Sequence, residues 1–174
     1  MTDYEFDDLY RLESDRVYRY IYMLIGHEQK AEDLTHDTFL KAYRSIHMFR
    51  NESGHATWLM KIARNLTYDY FRRRKIVQFF AFGKEDYVDE RLKDPEQLSI
   101  YSDEIETLYR AIKSLKQSYQ DVIILRKIDE SSIKETAFIL GWSEAKVKGM
   151  SQRAFIALKE KMLEKEGEYG AQTR

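Results

Sequence analysis

Cysteine is absent from the chain, which excludes a disulfide framework, a thiol nucleophile and a thiolate metal site. That usage suits a reducing compartment, and we expect a cytoplasmic protein. Proline occurs once and glycine seven times. So little punctuation, beside abundant Leu, Ile, Ala, Lys, Glu and Arg, favours helices. No stretch alternates apolar and polar residues long enough to compete as a strand, so no sheet is expected. The longest apolar run, YIYMLIG, is too short to span a bilayer, and the acidic opening MTDYEFDDLYRLESD is unlike a secretory signal. An excess of one charge is missing too: 29 Lys and Arg stand against 30 Asp and Glu, for a formal net charge of -1. The chain therefore has no overall cationic field, and any nucleic-acid site must be a local basic surface.

The materials of catalysis are also scarce. His27, His36, His47 and His55 show no paired metal-ligand spacing, no glycine loop is built to cradle phosphate, and no serine has a nucleophile-elbow context. We expect no enzyme, no metal, no cofactor and no small-molecule substrate.

What is present is helical periodicity. Over residues 3–25, Leu9, Leu12, Arg16, Val17, Tyr20, Ile21 and Leu24 recur at helical spacing until Gly26 and His27 interrupt them. Over 28–47, Ala31, Leu34, Thr38, Phe39, Ala42, Tyr43 and Ile46 share one face, which leaves Glu32, Asp33, His36 and Asp37 on the other. A polar stretch, 50–55, precedes a third helix marked by Trp58, Leu59, Ile62, Ala63, Leu66, Tyr70 and Phe71, ending in Arg72, Arg73, Arg74 and Lys75. The period then fails over 76–102, where Phe79, Phe80 and Phe82 precede Gly83 and an acid-rich run. This reads as an interdomain linker with partial helix at its start. Four further helices are predicted at about 103–116, 118–128, 133–140 and 144–164, with a frayed tail from Gly167.

The last pair carries the sharpest local signal. Ser132-Ile133-Lys134-Glu135 has the S-x-x-E form of a capping box, and Gly141 stands where a left-handed residue would end the helix. Ser143 can cap the next helix, whose buried stripe would be Val147, Met150, Ala154 and Leu158. Its other face carries Lys146, Lys148, Gly149, Gln152 and Arg153. A short helix, a glycine turn and a cationic second helix form a helix-turn-helix able to enter a major groove, where Arg and Lys pair with guanine and Gln with adenine. The plainer alternative is a helical hairpin with a solvated lysine face. Upstream, Lys61, Arg64 and the Arg72–Lys75 run interleave with Trp58, Tyr68, Tyr70 and Phe71, which suits phosphates and unstacked bases. Core aromatics and a dipole-favoured helix end would look the same.

Three segments carry a resemblance: AEDLTHDTFLKAY, ATWLMKIARNLTYDYFRRRK, and LKQSYQDVIILRKIDESSIKETAFILGWSEAKVKGMSQRAFIAL. They resemble conserved regions 2 and 4 of bacterial sigma factors, and the size resembles the extracytoplasmic-function (ECF) group. ETA, SEAKVK and the FDDLY opening look similar to the sigma-X type. The resemblance implies an all-α fold of two small domains. Region 2 would occupy residues 1–77, a flexible linker 78–102, region 4 residues 103–166, and a tail 167–174. It implies core RNA polymerase and promoter DNA as partners, with an anti-sigma factor. Glu32, Asp33, His36 and Asp37 match the face that docks on core polymerase, where carboxylates suit arginines. Asn51, Ser53, Gly54 and His55 match a loop that captures an extruded base of the −10 element. Trp58, Lys61, Asn65 and Asp69 lie along the adjoining helix, while Arg72 and Arg73 suit backbone phosphate. Lys146, Lys148, Gly149, Gln152 and Arg153 match positions facing the −35 element, with Gly149 and Gln152 departing from the usual pattern. Lys116 stands where many relatives have proline. The alternative function is a stand-alone helix-turn-helix regulator that binds duplex operator DNA.

Overall fold

The computed structural model of the protein describes residues 3–49, 53–82 and 103–172. Among them the helices run in the order α1 Asp3–Ile25, α2 Glu28–Ser45, α3 His55–Phe82, α4 Asp103–Ser114, α5 Gln117–Ile123, α6 Ile133–Leu140 and α7 Glu144–Gln172. A 3-10 turn, Ile46–Met48, follows α2, and a π turn, Ile124–Ile128, follows α5. Among the described residues there is no strand, and no helix is long and apolar enough to cross a membrane. Contacts divide the chain into two compact units. One is carried by α1–α3, the other by α4, α5, α7 and the first half of α6, with Phe138–Gly141 grouped with the first.

In the first unit α1, α2 and α3 pack pairwise. Val17, Tyr20, Ile21 and Leu24 of α1 are buried, as are Ala31, Leu34, Phe39 and Ala42 of α2 and Leu59, Met60 and Ala63 of α3. Three threonines lie inside without leaving orphan hydroxyls. Thr35, Thr38 and Thr67 donate to the carbonyls of Ala31, Leu34 and Ala63, four residues back, at 2.7, 2.7 and 2.8 Å. Two residues of the expected apolar stripes are nonetheless exposed. Leu12 is 77% exposed because the fully buried stripe of α1 begins only at Val17; toward the N-terminus Phe6 and Leu9 are half-buried and Tyr10 is 44% exposed, at the rim of the core. The rings of Tyr10 and Phe6 meet Phe39 at 4.7 and 6.3 Å. Tyr43 is 49% exposed: Phe6 meets its ring edge-on at 5.1 Å, at the rim of the core.

The boundaries differ from expectation at three places. The predicted second helix tightens into the 3-10 turn after Ser45. Helix α3 continues through Phe82, so the expected partial helix at the linker's start is the end of α3. The rest of the linker, 83–102, lies outside the described residues. Helix α7 continues to Gln172, past the expected fraying point at Gly167. The added residues, 165–172, include Lys165, Glu166 and Glu168, good helix formers, but also Gly167 and Gly170, which are poor ones.

In the second unit α5 packs on α7, and α4 packs on both. Ala111, Ile112, Val122, Ile123, Ile124, Leu125, Val147, Ala154 and Leu158 are buried. The corner between α4 and α5 is closed by buried Gln120, whose Nε2 donates to the carbonyls of Lys113 at 3.1 Å and Leu115 at 2.7 Å. One side-chain amide thus satisfies two carbonyls that the end of α4 leaves without an intrahelical partner. At the far end of α5 the Asp129 N–H donates five residues back, to the Ile124 carbonyl at 2.8 Å, which widens the last turn. The chain then reverses through Glu130 at φ 59, a conformation that costs any side chain with a Cβ. Ser131 N–H returns to the Leu125 carbonyl at 2.9 Å, and the Arg126 guanidinium donates to the Ser131 carbonyl.

Two stability changes of opposite sign follow. Gln120→Leu should destabilise the second unit by about 1–3 kcal/mol, because two carbonyls lose their donor. Glu130→Gly should stabilise it by about 0.5–1 kcal/mol by relieving the left-handed backbone. Urea unfolding of the full chain measures both, and a neutral Gln120→Leu would show that water replaces the amide.

Candidate nucleic-acid interface

The acidic face expected on α2 is where the sequence placed it. Glu32, Asp33, His36 and Asp37 are all exposed, while Ala31, Leu34, Thr35 and Thr38 turn inward. Lys30 pairs with Asp33 at 3.0 Å, with both side chains largely in water. Such a pair is worth about 0–1 kcal/mol and exchanges readily for a better cation. The sequence reading passed over one member of this face: Leu40, one turn beyond His36 and 39% exposed, adds an apolar contact to it.

On α3 the candidate residues form a stripe. Trp58, Lys61, Asn65 and Arg72 recur at steps of three, four and seven, opposite the buried Leu59, Met60, Ala63 and Thr67. Asn65 and Arg72 are exposed, and Trp58 and Lys61 are half-buried. Asp69 lies near the same stripe and pairs with Arg72 at 2.9 Å. Arg73 is exposed but turned about 100° from Arg72 around the helix, so it leaves the stripe. Arg74 donates to the Tyr70 hydroxyl, and the Arg64 guanidinium sits over the Tyr68 ring at 4.5 Å.

The loop before α3 is only partly described, and Asn51 lies outside the described residues. Gly54 accepts the Trp58 N–H at 3.0 Å and so starts the helix. The Ser53 hydroxyl is buried and meets no hydrogen-bond partner among the described residues. The two ends of the loop are joined by rings: Phe49 lies against His55 at 4.3 Å and Trp58 at 5.3 Å. Phe49 was missed in the sequence, although an aromatic residue before a polar loop, with His and Trp just after it, is a usable signal. Beside His55 an open concavity of about 410 Å³ is lined by Glu5, Asp8, Leu9 and Leu12 of α1.

The helix-turn-helix follows the predicted local chemistry. Ser132 N–H donates to the Glu135 carboxylate at 2.7 Å, and Glu135 N–H donates to Ser132 Oγ at 3.2 Å, a reciprocal capping box. Gly141 has φ 67, and the Trp142 N–H reaches back to the Ala137 carbonyl at 2.9 Å, ending α6 in a left-handed turn. Ser143 Oγ accepts the Lys146 N–H at 3.2 Å and caps α7. Val147, Ala154 and Leu158 are buried, Met150 is half-buried, and Lys146, Lys148, Gln152 and Arg153 are exposed. Gly149 is half-buried beside them. The Lys146 ammonium sits 4.3 Å from the Trp142 ring centroid, and Arg153 Nη2 lies 3.2 Å from Met150 Sδ. Farther along α7 the Lys161 ammonium has its pKa raised by its hydrogen bond to Glu164, at 2.7 Å. Among the described residues no three His, Asp or Glu side chains gather so as to hold a metal ion.

Comparison with known proteins divides along the same two units. Residues 9–76 match the model of Sigma-70 region 2, and residues 105–158 that of Sigma-70 region 4. The chain is 36% identical over 157 residues to RNA polymerase sigma factor YlaC of Bacillus subtilis, covering 90% of this chain and 91% of that protein. It is 29% identical over 161 residues to the ECF sigma factor SigX of Bacillus subtilis, covering 90% and 83%. Among solved structures it is similar to the sigma factor RpoE in complex with the anti-sigma factor NepR from Bartonella quintana. That match has a TM-score of 0.76 at 25% identity and covers 91% of this chain and 96% of that one.

Gly149 marks a place where α7 gives up stability. A Cβ there would meet only Arg153 Nη2, at 3.8 Å, an ordinary contact. Gly149→Ala should therefore stabilise α7 by up to about 1 kcal/mol in a thermal melt. A loss of stability would mean that Arg153 cannot yield.

Proposed function

The chain belongs to the sigma-70 family of RNA polymerase sigma factors, in its ECF group, and from that premise we propose which of its surfaces carry the work. As a sigma factor it binds core RNA polymerase, recognises the −35 and −10 promoter elements and directs transcription initiation. The polymerase supplies the nucleotidyl-transfer chemistry; the role assigned to this chain is that of a non-catalytic, cytoplasmic initiation factor. We place region 2 at 1–77 and region 4 at 103–166, boundaries that bracket the matched segments 9–76 and 105–158. Within the ECF group the sigma-X type gains no preference, since identity to YlaC, 36%, exceeds that to SigX, 29%.

Glu32, Asp33, His36 and Asp37, with Leu40 among them, form the polymerase-docking face in this reading. An acidic rim around an apolar contact steers a basic partner and then holds it by burial. The stripe Trp58, Lys61, Asn65 and Arg72 tracks the −10 strand, with Arg73 reaching a neighbouring phosphate. The exposed acidic face and this stripe, on adjacent helices of one unit, are the observation that carries the assignment. A stand-alone regulator has no use for either and is not favoured.

The loop would capture the extruded base. Phe49 holds its ends through His55 and Trp58, and the buried Ser53 hydroxyl offers an unused hydrogen bond. The concavity beside His55 carries Glu5 and Asp8, carboxylates that accept from an exocyclic amine, which favours cytosine or adenine. Lys146, Lys148, Gly149, Gln152 and Arg153 face the −35 element. An anti-sigma factor is proposed as a further partner, because the similar RpoE was solved bound to NepR.

Replacing both Asp33 and Asp37 by Lys should abolish assembly with core polymerase in a pull-down while leaving helicity and melting intact, because both side chains are exposed. Retained assembly would move the docking face elsewhere. Arg153→Ala should weaken recognition of the upstream element by about 1–3 kcal/mol in promoter-binding assays. An unchanged promoter profile would remove Arg153 from the reading head.

A further inference from the structure

We propose that Trp142 is a positioning residue for promoter recognition: its indole holds the Lys146 ammonium in place at the start of α7 without neutralising it. The proposal rests on the assignment of α7 to the −35 element.

The turn around Trp142 is fixed from both sides. Gly141 takes the left-handed conformation, the Trp142 N–H is tied to the Ala137 carbonyl, and Ser143 caps the helix through the Lys146 N–H. The indole is half-buried, so the ring is itself held, while Lys146 is exposed. On a free surface a lysine stem samples many rotamers, and ordering it opposes binding. An ammonium 4.3 Å from the indole centroid is drawn to the negative face of the ring, which confines the stem before DNA arrives.

The kind of partner matters as much as the contact. Lys30, Arg72 and Lys161 are each paired with a carboxylate, Asp33, Asp69 and Glu164 respectively. A carboxylate orders a cation but cancels its charge, and a phosphate or guanine must then compete with it. The indole orders the cation while leaving its net charge intact, and it offers no oxygen to occupy the ammonium hydrogens. Arg153 shows the same economy in the thioether of Met150, at 3.2 Å. Lys146 and Arg153 thus both lean on neutral groups, as Lys116 does on Tyr119 and Lys127 on Phe155 elsewhere in the unit, and at Lys146 such a contact leaves the full charge available to DNA.

The test uses the full chain assembled with core polymerase. The probe is a promoter fragment that the wild-type holoenzyme selects from a library randomised at the upstream element, compared with a scrambled upstream element. Lys146→Ala and Trp142→Leu should each lower this discrimination by about two- to five-fold, the range expected of an exposed cation–π contact. The double variant should be no worse than Lys146→Ala alone, and Trp142→Phe should restore most of the loss. Combined with Arg153→Ala, by contrast, the loss from Trp142→Leu should multiply, since a merely misplaced helix would disturb both cations together. Tetrafluorotryptophan incorporated at position 142 keeps the ring's approximate size but removes its negative face. It should reproduce the loss without a change in melting temperature, which covers the case in which Trp142→Leu fails to fold.

Full discrimination with the fluorinated ring, or losses from Trp142→Leu and Lys146→Ala that multiply, would overturn the proposal. An unaffected Lys146→Ala would overturn it as well, because nothing would remain for Trp142 to position. If Lys148, Gln152 and Arg153 variants were also unaffected, the −35 assignment itself would fall.

Discussion

The need to satisfy the ends of short helices governs the second unit. Helix α6 has eight residues and α5 seven, far below the length at which a helix stands alone in water. Each end leaves backbone groups without intrahelical partners, and in elements this short the ends are most of the helix. The chain answers with specific side chains: Gln120 for the carbonyls of α4, the Ser132–Glu135 box for the start of α6, and Ser143 for the start of α7. Because these bonds also set the direction of the chain, they aim α7, the proposed recognition helix. The residues proposed to face DNA are placed by the hydrogen bonds of the turn before them.

Charge is arranged by the same economy. With a net charge of -1 the chain cannot rely on a general attraction to DNA. Acid is gathered on α2, where a protein partner is proposed, and cations are gathered on α3 and α7. Within α7 Lys146 and Arg153, on the proposed reading face, rest on Trp142 and Met150, while Lys161, beyond that face, is paired with Glu164. Region 2 shows a different compromise, since Arg72, proposed to meet a phosphate, is paired with Asp69. Exposed pairs of that kind are weak enough for the exchange to cost little.

Much of this was legible in the residues, and the parts that were not have a common cause. The capping box, the glycine turn and the second cap could be read directly, because each is a bond between groups three to five residues apart. The acidic face of α2 and the α3 stripe could be read from a period of 3.6. The register of α1 could not be read as surely. Periodicity puts both Leu9 and Leu12 inside, yet Leu9 is half-buried and Leu12 lies in water, while Phe39 on another helix draws the rings of Phe6 and Tyr10 to the rim of the core. Tyr43 was misjudged because amphipathic spacing says nothing about where a core ends.

By itself, then, the sequence determined the helices, their caps, the two-part organisation and the resemblance that names the family, since all of these rest on information within a few residues along the chain. Only the tertiary structure decided where the buried stripe of α1 ends, that Phe49 joins the two ends of the loop before α3 through His55 and Trp58, and that Lys146 rests on Trp142. Local hydrogen bonding follows rules of spacing, whereas burial and ring contacts depend on what the rest of the fold brings alongside.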